Sequence, residues 1–180
     1  MQIVPTALPG VLLIKPIVRS DARGFFFESW NEGEFERAGL NVHFRQDNHS
    51  RSVRNVLRGL HYQLNRPQGK LIKCTRGSIF DVAVDLRRSA PTFRRWIGVE
   101  ISEFNHHMLW IPPGFGHGFL TMSDEADVHY KATELYEAKS DRVVLWSDKR
   151  LAIQWPLEGN PVLSPKDADA PSLNAAELFD

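Results

Sequence analysis

Short apolar or alternating runs, each cut off by Gly, Pro, Asp, Asn or Ser, recur along most of this chain and leave little room for helix. In Ser78–Leu86 the residues Phe80, Val82, Val84 and Leu86 fall on one face of an extended strand. Asp81 and Asp85 fall on the other, with Ile79 and Ala83. Val11–Pro16, Trp96–Ile101, Met108–Ile111, Gly118–Thr121, Val128–Tyr136 and Val143–Trp146 read the same way. Many short strands separated by turn residues argue for an all-β sandwich or barrel. One early helix interrupts them. Asn31 is placed to cap it, Glu34 stands in capping-box position, and Gly39 follows Phe35 and Ala38 as a terminator. From Asn160 the chain is rich in Pro, Asp and Ala, which predicts loops and a final short helix wrapped on the barrel. No repeat or linker divides the chain, and 180 residues suit one domain with a real core, residues 1–180.

The charge balance narrows the partners. Lys plus Arg and Asp plus Glu both number 22, so no basic excess points to nucleic acid. A lone cysteine, Cys74, excludes an internal disulfide, fits a reducing compartment and is expected to fill core space. The start lacks the charged and apolar regions of a signal peptide, and no apolar run reaches the roughly 18 residues that span a bilayer. A cytoplasmic protein without a membrane partner is the expectation.

Six stretches carry more polar and aromatic specificity than packing requires: Asp21–Glu28, Gln46–Ser50, Leu57–Gln63, Gln68–Ile72, Ile111–Gly118 and Tyr130–Thr133. The tail adds Ser164-Pro-Lys-Asp-Ala168. As an ordered set they resemble the dTDP-4-dehydrorhamnose 3,5-epimerase family (dTDP, deoxythymidine diphosphate), from about Thr6 to Pro171. That resemblance implies a mainly β, cupin-type jelly-roll barrel with a short N-terminal helix and a short C-terminal helical tail. It implies a cofactor-free, metal-free enzyme that acts on a dTDP-4-keto-6-deoxyhexose, and a homodimer.

Roles follow position by position from the same resemblance. His61 matches the catalytic base, Asp167 the carboxylate that orients it, and Tyr130 the proton donor across the sugar. Lys70 matches the residue beside the ketone and diphosphate. Arg23, Glu28, Gln46, Asp47, Asn48, Arg58, His117 and Lys166 match nucleotide-sugar contacts, and Tyr136 the ring that stacks on thymine. Asp141, matched to a further substrate contact, stands where the family often has Glu, so the carboxylate is shorter there and the resemblance does not carry that contact over in full.

The chemistry accounts for these residue types. A C–H beside a ketone is acidic because its anion delocalises onto oxygen. Its removal needs a base near neutrality, and imidazole titrates at about 6.5. A cation or donor aimed at the enolate oxygen is worth about 2.7–4 kcal/mol of barrier. Inversion then needs an acid on the opposite face, and a phenol is a neutral donor at pH 7. Tyr130 and Tyr136 share strand parity, so a regular strand would point both into one cavity, roughly 20 Å apart.

Rival functions fit the pattern less well. A metal-dependent cupin draws two histidines and a carboxylate from one strand pair; here Gln63 and Lys70 occupy the positions where such ligands would stand. A sugar-binding cupin without catalysis, and an epimerase acting at only C3 or only C5, are the remaining alternatives. His43, His49, His106, His107 and His129 are read as surface or supporting residues.

Overall fold

The computed structural model describes all 180 residues. The chain opens with β1 (Gln2–Pro5), β2 (Leu12–Lys15), a hairpin of β3 (Arg19–Asp21) and β4 (Gly24–Phe26), and helix α1 (Glu32–Arg37). Next come β5 (Gln46–Val53), β6 (Leu57–Gln63), β7 (Lys70–Arg76), β8 (Ser78–Asp85), β9 (Trp96–Ser102) and β10 (Met108–Ile111). The last strands are β11 (Phe115–Thr121), β12 (Glu125–Ala132) and β13 (Asp141–Val143), followed by helix α2 (Pro165–Ala168).

One sheet has the order β1-β2-β10-β7-β12-β5 and the other β13-β6-β11-β8-β9, with the β3–β4 hairpin standing apart. All these pairings are antiparallel. The sheets face each other across an interior that includes Ile72, Ile79, Ala83, Leu109, Phe115, Phe119 and Val128. This is the cupin-type jelly roll expected from the motifs.

Both outer faces are covered as well. Phe80, Val82, Val84 and Leu86 pack outward against Leu151, Leu173, Ala176 and Leu178 of the tail. The face of β8 that carries two aspartates is the interior one, and Asp81 and Asp85 are fully buried there. Over the six-stranded sheet, Phe35 of α1 buries itself beside Ile14, Met108 and Trp110.

The helix forms as its sequence predicts. Asn31 caps it by accepting the Glu34 N–H, and Gly39, with φ of 80°, ends it. The Glu34 carboxylate pairs with Arg37. Two runs stop early: of Val143–Trp146 only Val143 lies in a strand, at the end of β13, and the run expected to reach Tyr136 ends at Ala132, where Thr133 to Ser140 form a loop. The expected 20 Å separation of Tyr130 and Tyr136 along a regular strand is therefore overturned. The turn begins where the Thr133 N–H bonds Gly69 O, its hydroxyl accepts the Gly69 N–H, and β5 has run out opposite it. Cys74 is buried and its thiol is pushed up to about 12 by desolvation, as an inert core filler should be.

Candidate active site

A polar cavity of about 280 Å³ opens at one end of the barrel, between β6, β7, β11 and β12. Two ladders place its central groups. His61 and His117 are direct partners across β6 and β11, and Lys70 starts β7 opposite Ala132 of β12.

A bulge fits the cavity with both Arg58 and His61. Between the pairs His117–His61 and Phe119–Arg58, one residue of β11 faces two of β6. Such an insertion reverses the side-chain alternation. Arg58 and His61, three positions apart, thus share the cavity face, while Leu60 and Tyr62 turn outward to the tail. The crossing requires glycine at both positions. A Cβ on Gly59, whose φ is 128°, would stand 2.5 Å from Gly118 Cα, and one on Gly118 would stand 2.7 Å from Arg58 O.

His61 is oriented from behind by the second helix. Ser164 caps α2 through the Asp167 N–H, and its hydroxyl bonds Asp167 Oδ2 at 2.7 Å. Asp167 Oδ1 lies 2.6 Å from His61 Nε2 and also accepts the Gly59 N–H at 3.3 Å. Burial alone would raise the Asp167 carboxyl; the bonds from His61, Ser164 and Gly59 outweigh it and hold it below the usual range. An ionised Asp167 can only accept, so Nε2 carries the proton and Nδ1 is left as a basic nitrogen.

Lys70 stands beside this pair, its Nζ 3.3 Å from His61 O and 6.0 Å from the Tyr130 ring centroid. Desolvation lowers the ammonium to about 8, against the opposing pull of Asp141 and Asp81. Tyr130 projects from β12 with its ring centroid 6.4 Å from that of His117. Burial raises its phenol and Arg58 partly offsets that, so it stays a neutral donor at pH 7.

At the outer end, Asp141 Oδ2 accepts from Tyr136 Oη at 3.1 Å and from Lys166 Nζ at 2.5 Å. Tyr136 reaches the cavity from the loop, and Gln46 Oε1 accepts its backbone N–H at 2.8 Å. Gln46, Asn48 and Ser50 point inward from β5, and Asn48 Nδ2 and Ser50 Oγ are buried without a protein partner. Of the two residues, Ser50 lines the cavity.

The structure thus gathers His61, Lys70, Tyr130, Arg58, His117, Tyr136, Asp141 and Lys166 around one cavity, with Asp167 behind His61. Gln46 and Asn48, expected contacts too, stand behind the Tyr136 loop and beside Tyr130 and are not among the cavity's lining residues, and three further expected contact residues are elsewhere. Asp47 alternates to the outer face of β5 and pairs with Lys131 at 2.9 Å. Arg23 sits in the turn of the exposed hairpin and pairs with Asp21 at 2.6 Å, and Glu28 follows that hairpin and accepts from Asn31; neither lines its own chain's cavity.

Asp81 is a group that sequence reading left without a role. It is fully buried, and its Oδ1 lies 2.7 Å from His117 Nε2. Desolvation lowers the His117 imidazole despite the attraction of Asp81. A carboxylate on the interior face of a central strand, between Ile79 and Ala83, was the available signal. No group of three or more His, Cys, Asp or Glu side chains is gathered as a metal-ligating set.

A jelly roll whose cavity holds a carboxylate-oriented histidine, a buried lysine and a half-buried phenol defines a class: enzymes that move protons on a small polar ligand. Comparison with known proteins narrows the class. The dTDP-4-dehydrorhamnose 3,5-epimerase family model matches residues 5–175, and the chain belongs to that family. It is 51% identical over 180 residues to the dTDP-4-dehydrorhamnose 3,5-epimerase of Salmonella typhimurium, covering 99% of this chain and 98% of that one. A dTDP-4-dehydrorhamnose 3-epimerase of Streptomyces niveus is 39% identical over 172 residues, 94% of this chain and 83% of that one. Among solved structures, a dTDP-6-deoxy-D-glucose-3,5-epimerase of Legionella pneumophila in complex with dTDP-4-keto-L-rhamnose superposes with a TM-score of 0.96 at 44% identity. That match covers 99% of this chain and 97% of the other.

Proposed function

We propose that this chain, as a single domain, epimerises dTDP-4-dehydro-6-deoxy-D-glucose at C3 and C5 to dTDP-4-dehydro-L-rhamnose. The observation that carries the reading is the convergence of the His61–Asp167 pair, Lys70 and Tyr130 on one cavity. In this reading His61 Nδ1 takes the proton beside the ketone, and the Asp167 carboxylate stabilises the imidazolium that results. The Lys70 ammonium faces the oxygen on which negative charge develops. Tyr130 delivers a proton to the opposite face of the same carbon, the His61 imidazolium gives its proton to solvent, and the phenolate is reprotonated from solvent. One cycle at each carbon completes the double inversion, with no redox change and no group lost.

Arg58, His117 and Lys166 supply charge and hydrogen bonds for the diphosphate and sugar, and Tyr136 a ring for the base. Arg23 and Glu28 join this set only from a second copy, which favours a homodimer. The β3–β4 hairpin, with Arg23 in its turn and Glu28 just after it, exposes Phe25 and Phe26 at 61% and 70%, an apolar surface suited to burial against a partner.

The test is NMR of the substrate in deuterated water, scoring deuterium and configuration at C3 and C5 separately. Enzyme-dependent label and inversion at both carbons is the expected result. Inversion at C3 alone would favour the second reading, a 3-epimerase, which the Streptomyces niveus relative supports. Binding without label at either carbon would overturn enolisation.

A further inference from the structure

We infer that Gln63, two residues beyond His61 on the same face of β6, is a positioning residue that builds the nucleotide end of the cavity by fixing the loop that carries Tyr136; the inference rests on the proposed substrate. Gln63 is buried, at 3% exposure, and its amide is fully engaged. Its Nε2 donates to Arg66 O at 2.8 Å and to Leu135 O at 3.2 Å, and its Oε1 accepts the Glu137 N–H at 2.7 Å. It therefore grips the loop on either side of Tyr136. The Glu137 carboxylate then bonds Ser140, and Asp141, directly opposite Gln63 in the ladder, enters the cavity. Tyr136 Oη reaches Asp141 Oδ2 across that turn.

Backbone partners hold only the ends of this loop, at Thr133 and Ser140, and the Glu134 carboxylate takes the Leu135 N–H; the other bonds to its middle come from side-chain amides. Gln68 Nε2 donates to Glu134 O at 2.8 Å, and Gln46 accepts from Tyr136 N. Gln63 alone among the three is buried and makes two bonds to the loop. Without it, the Leu135 carbonyl and Glu137 amide lose their partners, and Tyr136 loses its fixed position. A loop ordered before the ligand arrives spares the ligand the entropy of ordering it. The consequence falls on binding of the nucleotide and leaves proton transfer at the sugar untouched.

The experiment compares wild type, Gln63→Leu, Gln63→Glu, Tyr136→Ala and the double variant Gln63→Leu/Tyr136→Ala. Each is measured for dTDP affinity by calorimetry, for KM and kcat, and for deuterium wash-in at saturating substrate. Gln63→Glu keeps the acceptor for Glu137 N–H and loses the donors. We expect dTDP affinity to fall by about tenfold or more in Gln63→Leu and by less in Gln63→Glu, with KM rising in step and kcat and wash-in within about twofold of wild type. In the Tyr136→Ala background the further loss from Gln63→Leu should shrink to about twofold or less, because both changes remove one interaction.

Full additivity with Tyr136→Ala, or loss of kcat and wash-in at unchanged affinity, overturns the inference. If Gln63→Leu does not fold, Gln63→Glu decides: unchanged dTDP affinity there overturns it. Failure of wild type to bind dTDP or turn over the substrate is a different outcome, and refutes the function on which the inference rests.

Discussion

Lys70 is the residue where function and stability pull against each other most plainly. Its folded-state ammonium titrates near 8, against an ordinary value of 10.5. Below pH 8 it is charged in both the folded and unfolded chain, and holding that charge in a buried site costs roughly 3 kcal/mol. The unfolded chain binds more protons between pH 8 and 10.5, so this cost fades and stability rises across that window. Lys70→Met removes the desolvated charge; the variant should melt several degrees above wild type at pH 7 while losing turnover, both read from one preparation. For wild type, kcat/KM should fall above about pH 8 as the cation facing the enolate is neutralised. A profile flat to pH 9.5 would remove Lys70 from that role. Tyr130 permits a sharper separation, because abstraction and redelivery use opposite faces. Tyr130→Phe leaves His61 and Lys70 in place, so deuterium should still enter C5 with configuration retained. Net epimerisation should drop by about 10²–10⁴-fold, the usual loss for a general acid. Equal loss of exchange and inversion would place the phenol earlier in the reaction.

At the scale of elements, α2 is short, yet it sets the base. Ser164 contributes twice: it caps the helix and it holds Asp167 Oδ2. Ser164→Ala should lower stability by about 1 kcal/mol through the lost cap. It should also reduce kcat with little change in dTDP affinity, because Asp167 becomes free to rotate away from His61. A denaturant melt and a kcat–KM pair check both halves. Local elements of this kind were legible in the sequence. The Asn31 cap, the Gly39 stop and the two faces of Ser78–Leu86 all depend on neighbours a few residues apart. What the sequence hid depends on distant contacts. Alternation alone puts Arg58 and His61 on opposite faces, and only the packing of Gly59 against Gly118 brings them together. The run to Tyr136 looked like one strand, because its turn is set by Gly69 and three glutamines from elsewhere in the chain. Asp47 lies beside Gln46 and Asn48 in the motif, yet strand parity turns it to the opposite face. Asp81 had a face but no role in the sequence, because its partner His117 and the tail that covers the far face of β8 both lie well downstream. Resemblance supplied the pairing of His61 with Asp167, 106 residues apart, which no local pattern reveals.

At the scale of the whole molecule, the roles proposed for Arg23 and Glu28 require a second chain. Within one chain the cavity is lined without them, and the β3–β4 hairpin projects Phe25 and Phe26 outward. A homodimer in which each hairpin closes the other subunit's cavity accounts for both facts, and it makes a quantitative claim. An active site would then need His61 from one chain and Arg23 from the other. His61→Ala and Arg23→Ala homodimers should each be impaired, the first nearly inert and the second weak in substrate binding. Unfolded together in equal amounts and refolded, they should exchange subunits at random, so about half the dimers are mixed. In each mixed dimer one site combines an intact His61 with an intact partner hairpin, and the other site carries both defects. Specific activity at subsaturating substrate should then rise to about a quarter of the wild-type value. If Arg23 served its own chain, mixing would give only the average of the two variants, because each chain would keep its own defect. A Phe26→Asp change provides the control on assembly: it should yield monomers by sedimentation, with the His61–Asp167 pair still formed within each chain and substrate affinity lost.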